Sequence, residues 1–412
     1  MDAIIQSIQS MAGSADEFER KKLIDTLHSV IHSIEGPQEF MQRLLYSHVN
    51  ISVARVGCDL KLYNHVADSP TPVSAQFVAE KAGADPELVA RLLRYLASIG
   101  TLDEAGAGLF KANTQTKTLA DDAWQSAIVH NFDTAWPCYL AMPAFLRETA
   151  HRDVTDPKHS PFNKAFDTKT DFFEWLPQQP WLFTNFNTYM TVQRQGMPTW
   201  LDKYPYKDRT QGMQPNQVFF VDIGGGMGHQ SAALRDALPK DMAHRIVVQD
   251  QAAVTAQSVK KQGVENIVHD FWEPQPIKGA RIYYMRNIIH DWSDDKSLDI
   301  LRNTKSAMGP DSLLLIDDMV LPNEGAHWQA TQLDIHMMTV LGSRERSKAQ
   351  WETLIARAGL QINAIHEYTE SLGDSIIECV LPPDSGKPFD TVGRALPPLM
   401  EGHVELVRAI GE

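Results

Sequence analysis

A run of glycines follows a short apolar segment near the middle of the chain. Residues 218–229 read VFFVDIGGGMGH, and residues with helical spacing continue to Leu238. Glycine lets the backbone approach a ligand closely and adopt conformations that a Cβ atom would forbid. The first turn of the following helix offers free N–H groups, which are donors for a ligand. The pattern therefore predicts a strand, a ligand-binding turn and a helix.

Acidic residues further along the chain extend this interpretation to a nucleoside. A dinucleotide fingerprint would read GxGxxG, but His229 stands at its third glycine, so the pattern here is GxGxG. Asp250 ends the next predicted strand, where its carboxylate can accept hydrogen bonds from ribose hydroxyls. Asp270 could accept from an adenine amino group while Phe271 covers the ring. Three such elements at successive strand ends favour nucleoside binding over a glycine turn that is needed only for packing.

A histidine with acidic candidate partners stands beyond a further predicted strand. His290 follows the segment Arg281–Met285. Ligands of an open parallel sheet bind at the carboxyl ends of its strands, which favours a catalytic role over a purely structural one. A neutral imidazole can remove a proton from a hydroxyl group, and a carboxylate can fix its tautomer. Asp291, Asp318 and Glu345 are the candidate carboxylates.

Two of these carboxylates have simpler alternative roles. Asp318 could be a loop residue at the end of a strand, and Glu345 could form an ion pair with Arg344 or Arg346. We favour the functional role for both, because each would supply the acceptor that a catalytic imidazole needs.

The elements that must position these residues appear as alternating strands and helices after residue 217. Short apolar strands separated by helical stretches are typical of a parallel sheet that is covered on both faces. The last two strands are joined by a short turn and are predicted to form an antiparallel pair at the sheet edge. The predicted strands are Gln217–Ile223, Arg245–Gln249, Asn266–His269, Arg281–Met285, Ser312–Asp317, Leu360–Thr369 and Asp374–Leu381. A capping box of Ser347 with Gln350 and a stop at Gly359 bound the helix before that pair.

The N-terminal half is predicted to be mostly helical. Residues 1–40 form an amphipathic helix whose apolar face packs either on its own subunit or on a second subunit. Residues 41–110 predict a small helical module, with helices at 40–62, 74–83 and 87–99, followed by a wing of two short strands at 100–110. The polar loop 203–217 is the predicted boundary between domains at 1–205 and 206–412.

Residues 115–200 are unusually rich in aromatic side chains, which build either a core or an apolar ligand pocket. A helical run at 333–340 carries a methionine stripe with the same two interpretations. His130 either reaches a substrate or is a histidine of the core. The candidate pocket residues are His130, Trp136, Phe166, Met190, His336, Met337 and Thr339.

Composition excludes several classes of protein. The chain has 412 residues, of which 43% are hydrophobic and 22% charged, which is the balance of a folded globular protein. A net charge of -14 argues against nucleic-acid and anionic-membrane partners. The 3 cysteines form no disulfide framework and no metal motif, so no metal site is predicted. No signal peptide and no membrane-spanning run is recognised, which predicts a cytoplasmic protein.

Six segments together resemble the class I S-adenosylmethionine-dependent O-methyltransferases, specifically the fungal secondary-metabolite branch related to plant caffeic-acid-type enzymes. They read FVDIGGGMGH, VVQD, HDFW, YYMRNIIHDWSDD, LLLIDDMVLP and LGSRERSKAQW. The resemblance implies an α/β fold with a Rossmann-like sheet, S-adenosyl-L-methionine as cofactor, and a homodimer. The dimer would form through a mostly helical N-terminal domain that contains a winged helix.

The resemblance also implies roles for individual residues. The cofactor would lie on Gly224, Gly225 and Gly226, with its methionine end at Gly224. Asp250 would hold the ribose, and Asp270 with Phe271 would hold adenine. Arg286 stands where the family usually has a lysine that contacts the cofactor, and Asp318 and Glu345 stand where it has two glutamates that flank the base.

Three functions follow as hypotheses. The leading one is O-methylation of a small aromatic or polyketide-derived metabolite, with His290 as the general base. The second is a dehydration or pericyclic ring formation, which some fungal relatives of this fold catalyse with the bound sulfonium as a charge. The third is a non-catalytic regulator that binds DNA through the winged helix, against which the acidic charge argues.

Overall fold

The computed structural model describes residues 1–214, 216–239, 245–256 and 258–383. The tail beyond these residues, to which we assigned no role, lies outside them. The chain forms two compact units, one of residues 1–143 with 172–195, and one of residues 144–171 with the described residues from 196 onward. This division differs from a single boundary at residue 205, because the segments 144–171 and 196–205 fold with the second unit.

Helices dominate the chain up to residue 210. Their bounds are α1 (Asp2–Ser14), α2 (Glu17–Ile34), α3 (Pro37–Leu45), α4 (Ser47–Asp59), α5 (Leu62–Ala67), α6 (Ala75–Ala82), α7 (Pro86–Ser98), α8 (Thr114–Leu119), α9 (Asp122–Val129), α10 (Trp136–Glu148), α11 (Pro161–Phe166), α12 (Phe172–Trp175), α13 (Pro180–Val192) and α14 (Trp200–Lys203). A π-helix covers His130–Ala135, and the short strands are β1 (Val73–Ser74), β2 (Asp103–Gly106) and β3 (Leu109–Lys111).

The core of the first unit lies between α4 to α7 and a small antiparallel sheet with the strand order β1-β3-β2. Leu62, Val78, Leu93 and Phe110 are buried in it. The helix α7 begins at Pro86, where the Asp85 side chain accepts from a backbone N–H group of the first turn. Two helices, α6 and α7, are followed by the hairpin of β2 and β3, in the predicted order.

The predicted N-terminal helix is divided into three. A capping box on Asp16 begins α2, and Gly36 separates α2 from α3. No residue of α1 or α3 is buried within the chain. Large apolar side chains on these helices are therefore exposed, and at the end of α2 the side chain of Ile34 has an exposed fraction of 76%.

The second unit is built on an eight-stranded mixed sheet. Its strands are β4 (Val218–Ile223), β5 (Arg245–Asp250), β6 (Val264–Val268), β7 (Ile282–Arg286), β8 (Leu313–Leu321), β9 (Arg346–Ser347), β10 (Gln361–Glu367) and β11 (Asp374–Val380). Its further helices are α15 (His229–Ala237), α16 (Ala252–Thr255), α17 (Asp294–Lys305), α18 (Trp328–Leu341) and α19 (Lys348–Arg357). Among the described residues, no helix has the length and apolar character needed to cross a membrane.

The strand order is β10-β11-β8-β7-β4-β5-β6, and β9 pairs with β8. The strands from β4 to β8 pair in parallel, whereas β10 and β11 form the predicted antiparallel pair, with β10 at the edge. Apolar cores cover both faces, which explains why β4 is apolar at nearly every position. The capping box of Ser347 with Gln350 at the start of α19 is confirmed.

The strand order switches sides at β4. Strands β5 and β6 are added on one side of β4, and β7 and β8 are added on the other side. The crevice at such a switch point is where open α/β sheets bind ligands. The turn after β4 carries the glycines, and the turn after β7 carries His290. The sheet therefore places the two predicted functional turns side by side.

Gly342, which ends α18, packs closely against the backbone of residues 156 and 157. Its φ is +61°, and a Cβ atom there would lie 2.6 Å from the carbonyl oxygen of Asp156. Gly325 has a similar φ of +70° with nothing within 4 Å of its Cβ position. Both alanine variants share the backbone cost of about 1–2 kcal/mol, and we expect Gly342→Ala to lose about 1–3 kcal/mol more. Thermal unfolding of the two variants measures the difference, and equal melting temperatures would contradict the packing.

Candidate active site

The glycine turn after β4 combines close packing with open space. Gly224 has a φ of +67°, and a Cβ atom there would lie 2.6 Å from Cδ1 of Ile288. A Cβ atom on Gly225 would lie 2.6 Å from the carboxylate carbon of Asp222. Gly226, with a φ of +57°, has nothing within 4 Å of its Cβ position. The first two glycines let neighbouring side chains approach the turn, and the third leaves the backbone open to a ligand.

Two carboxylates brace this turn. Asp250, at the end of β5, accepts from the backbone N–H of Gly226 at 2.8 Å and from that of Gln251 at 2.7 Å. Burial raises the pKa of Asp250. Asp222 accepts from the hydroxyl of Ser231 at 2.8 Å, and burial raises its pKa to about 7. The bracing role of Asp222 is not visible in the sequence, where it is one more residue of an apolar strand.

The predicted adenine-binding residues follow β6 directly. Asp270 accepts from the backbone N–H of Trp272 at 3.1 Å. The ring of Phe271 packs edge-on against that of Trp272, with centroids 5.1 Å apart, and lies 6.2 Å from that of Trp292. A Cβ atom on Gly224 would be 3.8 Å from the Phe271 ring, so this aromatic residue and the glycine turn border the same space.

These residues fit an adenosyl group. The open backbone of the glycine turn suits the methionine end of such a group. The carboxylate at the end of β5 suits the ribose, and the aromatic ring after β6 suits adenine. The individual roles assigned to them from the sequence stay predictions.

Arg286 ends β7 and lies against a buried acidic partner. Its Nε is 3.6 Å from Oδ2 of Asp317. The hydroxyl of Tyr368 donates to Oδ1 of Asp317 at 2.6 Å, and the hydroxyl of Tyr284 donates to Oδ2. Burial is the largest single effect and disfavours the charged guanidinium, but Asp317 together with Tyr284, Tyr368 and Asp374 outweighs it and raises the pKa of Arg286. The arginine is therefore a fixed cation beside the switch point.

His290 lies on a short 3-10 turn, Ile289–Asp291, just beyond β7. Its Nδ1 is 2.8 Å from Oε1 of Glu345 and 4.0 Å from Oδ1 of Asp318. Its Nε2 is 3.3 Å from Oδ1 of Asp291. The structure thus brings all three predicted carboxylates around one buried imidazole.

Burial and charge oppose each other in this cluster. Burial lowers the pKa of His290, but the carboxylates of Glu345, Asp291 and Asp318 outweigh it and raise the pKa to about 10. Burial raises the pKa of Asp318 to about 8 and that of Asp291 to about 7. Neither oxygen of Asp318 has a hydrogen-bond partner among the described residues. The acidic neighbours of His290 therefore favour its protonated, imidazolium form.

The alternatives for the two distant carboxylates are resolved. Asp318 does not lie in a loop: β8 is longer than predicted, and Asp318 is a strand residue paired with Ser375 of β11. Hydrogen bonding along β11 extends the strand beyond the short apolar run that was visible in the sequence. Arg344 pairs with Asp153, and Arg346 pairs with Asp294 at 2.9 Å, so Glu345 contacts His290 instead.

The predicted pocket residues fall into both units. In the second unit, α11 packs against α18, and these helices carry Phe166, His336, Met337 and Thr339. The Thr339 hydroxyl donates to the carbonyl of residue 335 in its own helix at 2.7 Å. Burial lowers the pKa of His336 to about 4, and the charge of His290 adds to this effect, so His336 is neutral.

The remaining pocket candidates lie in the first unit. His130 begins the π-helix and is buried, with ring centroids 5.3 Å from Phe186 and 5.8 Å from Tyr189. Trp136 begins α10, and Met190 lies on α13 with 38% exposure. Their contact with a substrate stays a prediction.

Residues that sequence reasoning missed support the cluster from behind. Oδ1 of Asp334, on α18, accepts from the backbone N–H of Glu345 at 2.9 Å. Arg346 follows Glu345 and is completely buried. Arg346 lies in the RERS segment and Asp334 in the helical run 333–340, but no sequence signal indicates either supporting role. Among the described residues, no group of three or more His, Cys, Asp or Glu side chains is arranged to hold a metal ion.

Family models and curated relatives match this chain. A model described as an O-methyltransferase domain matches residues 154–361, and one described as an O-methyltransferase dimerisation domain matches residues 42–122. The chain is 38% identical to O-methyltransferase lepI of Aspergillus flavus, over 89% of this chain and 95% of that protein. It is 34% identical to demethylsterigmatocystin 6-O-methyltransferase of Aspergillus parasiticus, over 88% and 93% of the two chains.

The chain belongs to the O-methyltransferase family. Solved structures agree with this assignment. One described as "A Pericyclic Reaction enzyme" has a TM-score of 0.89 at 36% identity, covering 92% of this chain and 99% of that chain. One described as "The structure of LepI complex with SAM" has a TM-score of 0.88 at 36% identity, covering 92% and 98%. The predicted family and Rossmann-like fold are therefore confirmed.

The contact between His290 and Glu345 can be tested without a substrate. Glu345→Gln removes one of the negative charges that raise the pKa of His290, so the imidazole should titrate at least about one pH unit below its value in the unaltered protein. NMR titration of ring-labelled histidine measures this, with His290→Gln identifying the signal. Glu265→Gln, which removes the surface partner of Arg245, is the matched control. Equal titration of His290 in both glutamine variants would exclude the contact.

Proposed function

We propose that this enzyme transfers a methyl group from S-adenosylmethionine to a hydroxyl of a small aromatic or polyketide-derived metabolite. One observation carries the proposal: a buried imidazole with a carboxylate on its Nδ1 stands beside the glycine turn of an O-methyltransferase fold. The relatives that act on oxygen, such as demethylsterigmatocystin 6-O-methyltransferase, support this reaction class.

S-adenosylmethionine is the cofactor that the family and the SAM complex of LepI indicate. The glycine turn of Gly224, Gly225 and Gly226 suits its methionine end, since the backbone there is open. Asp250 suits the ribose, while Asp270 and Phe271 suit adenine. When bound, this cofactor supplies an electrophilic methyl group on a positively charged sulfur.

The chain's own residues would handle the proton. With Nδ1–H donating to Glu345, the basic nitrogen of neutral His290 is Nε2, which would accept the hydroxyl proton of the substrate. Asp291 and Asp318 lie within reach of the resulting positive charge and stabilise it. Such a base contributes about 10²–10⁴-fold to the rate.

A second candidate function has its own support. At neutral pH the raised pKa of His290 makes the imidazole a proton donor rather than a base. A donor of that kind would polarise a carbonyl oxygen and assist a dehydration or pericyclic ring closure. A structure 36% identical to this chain is described as a pericyclic reaction enzyme. The two functions therefore differ in the protonation state of one residue.

The mass of the product and the pH dependence of the rate separate these functions. Methyl transfer yields a product heavier by one CH₂ group, whereas ring closure yields an isomer or a dehydrated product.

Because the base must be neutral and its pKa is about 10, kcat/KM for methylation should rise by up to tenfold for each pH unit from about 7 to 9. His290→Ala should lower kcat by about 10²–10⁴-fold.

The Glu345→Gln variant controls for ionisation of the substrate, which also increases with pH. In this variant the rise should occur at lower pH, while the ionisation of the substrate is unchanged. Mass spectrometry with methyl-labelled cofactor reads the product. An unlabelled isomer as the sole product, with a rate that does not rise between pH 7 and 9, would overturn methylation in favour of ring closure.

We further propose that the partner in solution is a second copy of this chain, held through the N-terminal helices. A match to the dimerisation domain begins at residue 42, within α3. The helices α1 to α3, which carry exposed apolar side chains, lie at and before this point in the chain. Packing those side chains against a second copy would remove them from water. Absence of nucleic-acid and membrane partners, and a cytoplasmic location, stay predictions.

Two charges on this face should dissociate the dimer. Ile31 and Ile34 have exposed fractions of 45% and 76%, so Ile31→Glu with Ile34→Glu should leave each chain folded but monomeric. Trp328→Glu, at a 52% exposed apolar residue of the second unit, is the control. Sedimentation velocity measures the mass. A double variant that sediments like the unaltered dimer would place the interface elsewhere.

A further inference from the structure

Arg346 is a completely buried cation, one residue beyond Glu345. Its side chain has no exposed surface, and its Cζ lies 5.3 Å from the ring centroid of Trp351. Burying a guanidinium costs free energy unless its donors find partners. The partners of Arg346 therefore show what the buried charge accomplishes.

Two partners are main-chain carbonyls on either side of the His290–Asp291 dipeptide. Nη1 of Arg346 donates to the carbonyl of Ile289 at 2.9 Å, and Nη2 donates to the carbonyl of Trp292 at 2.8 Å. One planar group thus holds both ends of the turn that carries the imidazole. Because the guanidinium fork is rigid, the two carbonyls keep a fixed separation.

The remaining partners attach this arrangement to α17. Nε and Nη2 of Arg346 donate to Oδ1 of Asp294, the first residue of that helix, at 3.0 and 2.9 Å. Nη2 also donates to the hydroxyl of Ser297 at 3.2 Å. That hydroxyl in turn donates to the carbonyls of Ile289 and Trp292 at 3.3 and 3.2 Å. The turn is therefore held by two side chains on the same two acceptors.

We propose that Arg346 is a positioning residue that fixes the turn carrying His290, so that the imidazole meets Glu345 in the geometry the reaction needs. The inference rests on the proposed function of this site. Glu345 holds the ring, and its chain neighbour Arg346 holds the backbone from which that ring projects. Because the two are consecutive in the chain, both ends of the His290–Glu345 contact move together.

The titration of His290 reports on this geometry. The charged and titratable groups that face His290 are Asp291 on its own turn, Asp318 on β8, Glu345 before β9 and His336 on α18. Displacing the turn lengthens the contact with Glu345 and weakens the effect that keeps the imidazole protonated. A residue that only stabilised the fold would lower the melting temperature without changing this titration in the folded protein.

Arg346→Met and Arg346→Lys test the inference in the full-length protein. In the methionine variant we expect His290 to titrate at least about one pH unit lower by histidine NMR. Its kcat should fall about 100-fold, while KM for S-adenosylmethionine changes by less than about threefold. Lysine keeps the positive charge but lacks the planar guanidinium that donates to two carbonyls at once. Arg346→Lys should therefore recover only part of the lost kcat and only part of the shift in the His290 pKa.

Arg357→Met is the matched control. Arg357 also pairs with Asp294, with Nη1 at 3.8 Å, but it is 46% exposed, and its second ion pair is with Asp295 on α17 at 3.1 Å. This variant should titrate and turn over like the unaltered protein. The inference is overturned if Arg346→Met is folded, has an unaltered His290 titration, and has a kcat within about threefold of the Arg357→Met variant.

A folding failure of Arg346→Met leaves a second route. Ser297→Ala removes the hydroxyl that contacts the same two carbonyls as Arg346. It should lower the pH at which His290 titrates by a smaller amount than the arginine variants do. An unaltered titration in both Ser297→Ala and Arg346→Lys would also overturn the inference. If the unaltered protein methylates no hydroxyl, the proposed function fails, but the NMR titrations still decide whether Arg346 holds the turn.

Discussion

The rest of the site depends on one buried contact, in which Nδ1 of His290 lies 2.8 Å from Oε1 of Glu345. Desolvation alone would keep this ring neutral, and desolvation alone would keep the surrounding carboxylates protonated. Placed together, the imidazolium and the carboxylates favour each other's charged forms, while repulsion among the carboxylates raises their own pKa. Among the described residues, no donor forms a hydrogen bond to either carboxylate oxygen of Asp318, so this carboxylate has unused acceptor capacity. A site with spare acceptor capacity next to a cofactor cradle is suited to receive a substrate proton.

The sheet supplies the second constraint. Because β5 and β7 add to opposite sides of β4, the glycine turn and the His290 turn meet at one edge of the sheet. The close approach of Ile288 to Gly224 leaves no room for a side chain between the two turns. The antiparallel addition of β11 extends β8 past that edge and carries Asp318 to the imidazole. The parallel pairing of β8 with β7 ends at Asp317, and Asp318 pairs with Ser375 of β11.

Membership of the O-methyltransferase family fixes the fold and the class of cofactor more firmly than the reaction. The relatives include an enzyme named for methylation at oxygen and a structure described as a pericyclic reaction enzyme, and the same imidazole could serve either chemistry. Two residues of the predicted site lie close to this imidazole or to the switch point. Asp318 is one methylene shorter than glutamate and lies 4.0 Å from the imidazole, and Arg286 is held by Asp317 at 3.6 Å.

Local patterns in the sequence determined the strand and helix order, the glycine turn, and the strand ends that carry Asp250, Asp270 and His290. These features depend on residues within one or two turns of each other, where spacing and glycine content act directly. The tertiary structure alone decided that Glu345 meets His290 across 55 residues of chain, that β8 extends to Asp318, and that Arg346 holds a turn rather than pairing with Glu345. Such contacts are set by the crossover order and register of the sheet, and by which buried donor finds which acceptor. Residue types and spacing do not specify them, because many pairings satisfy the same apolar pattern.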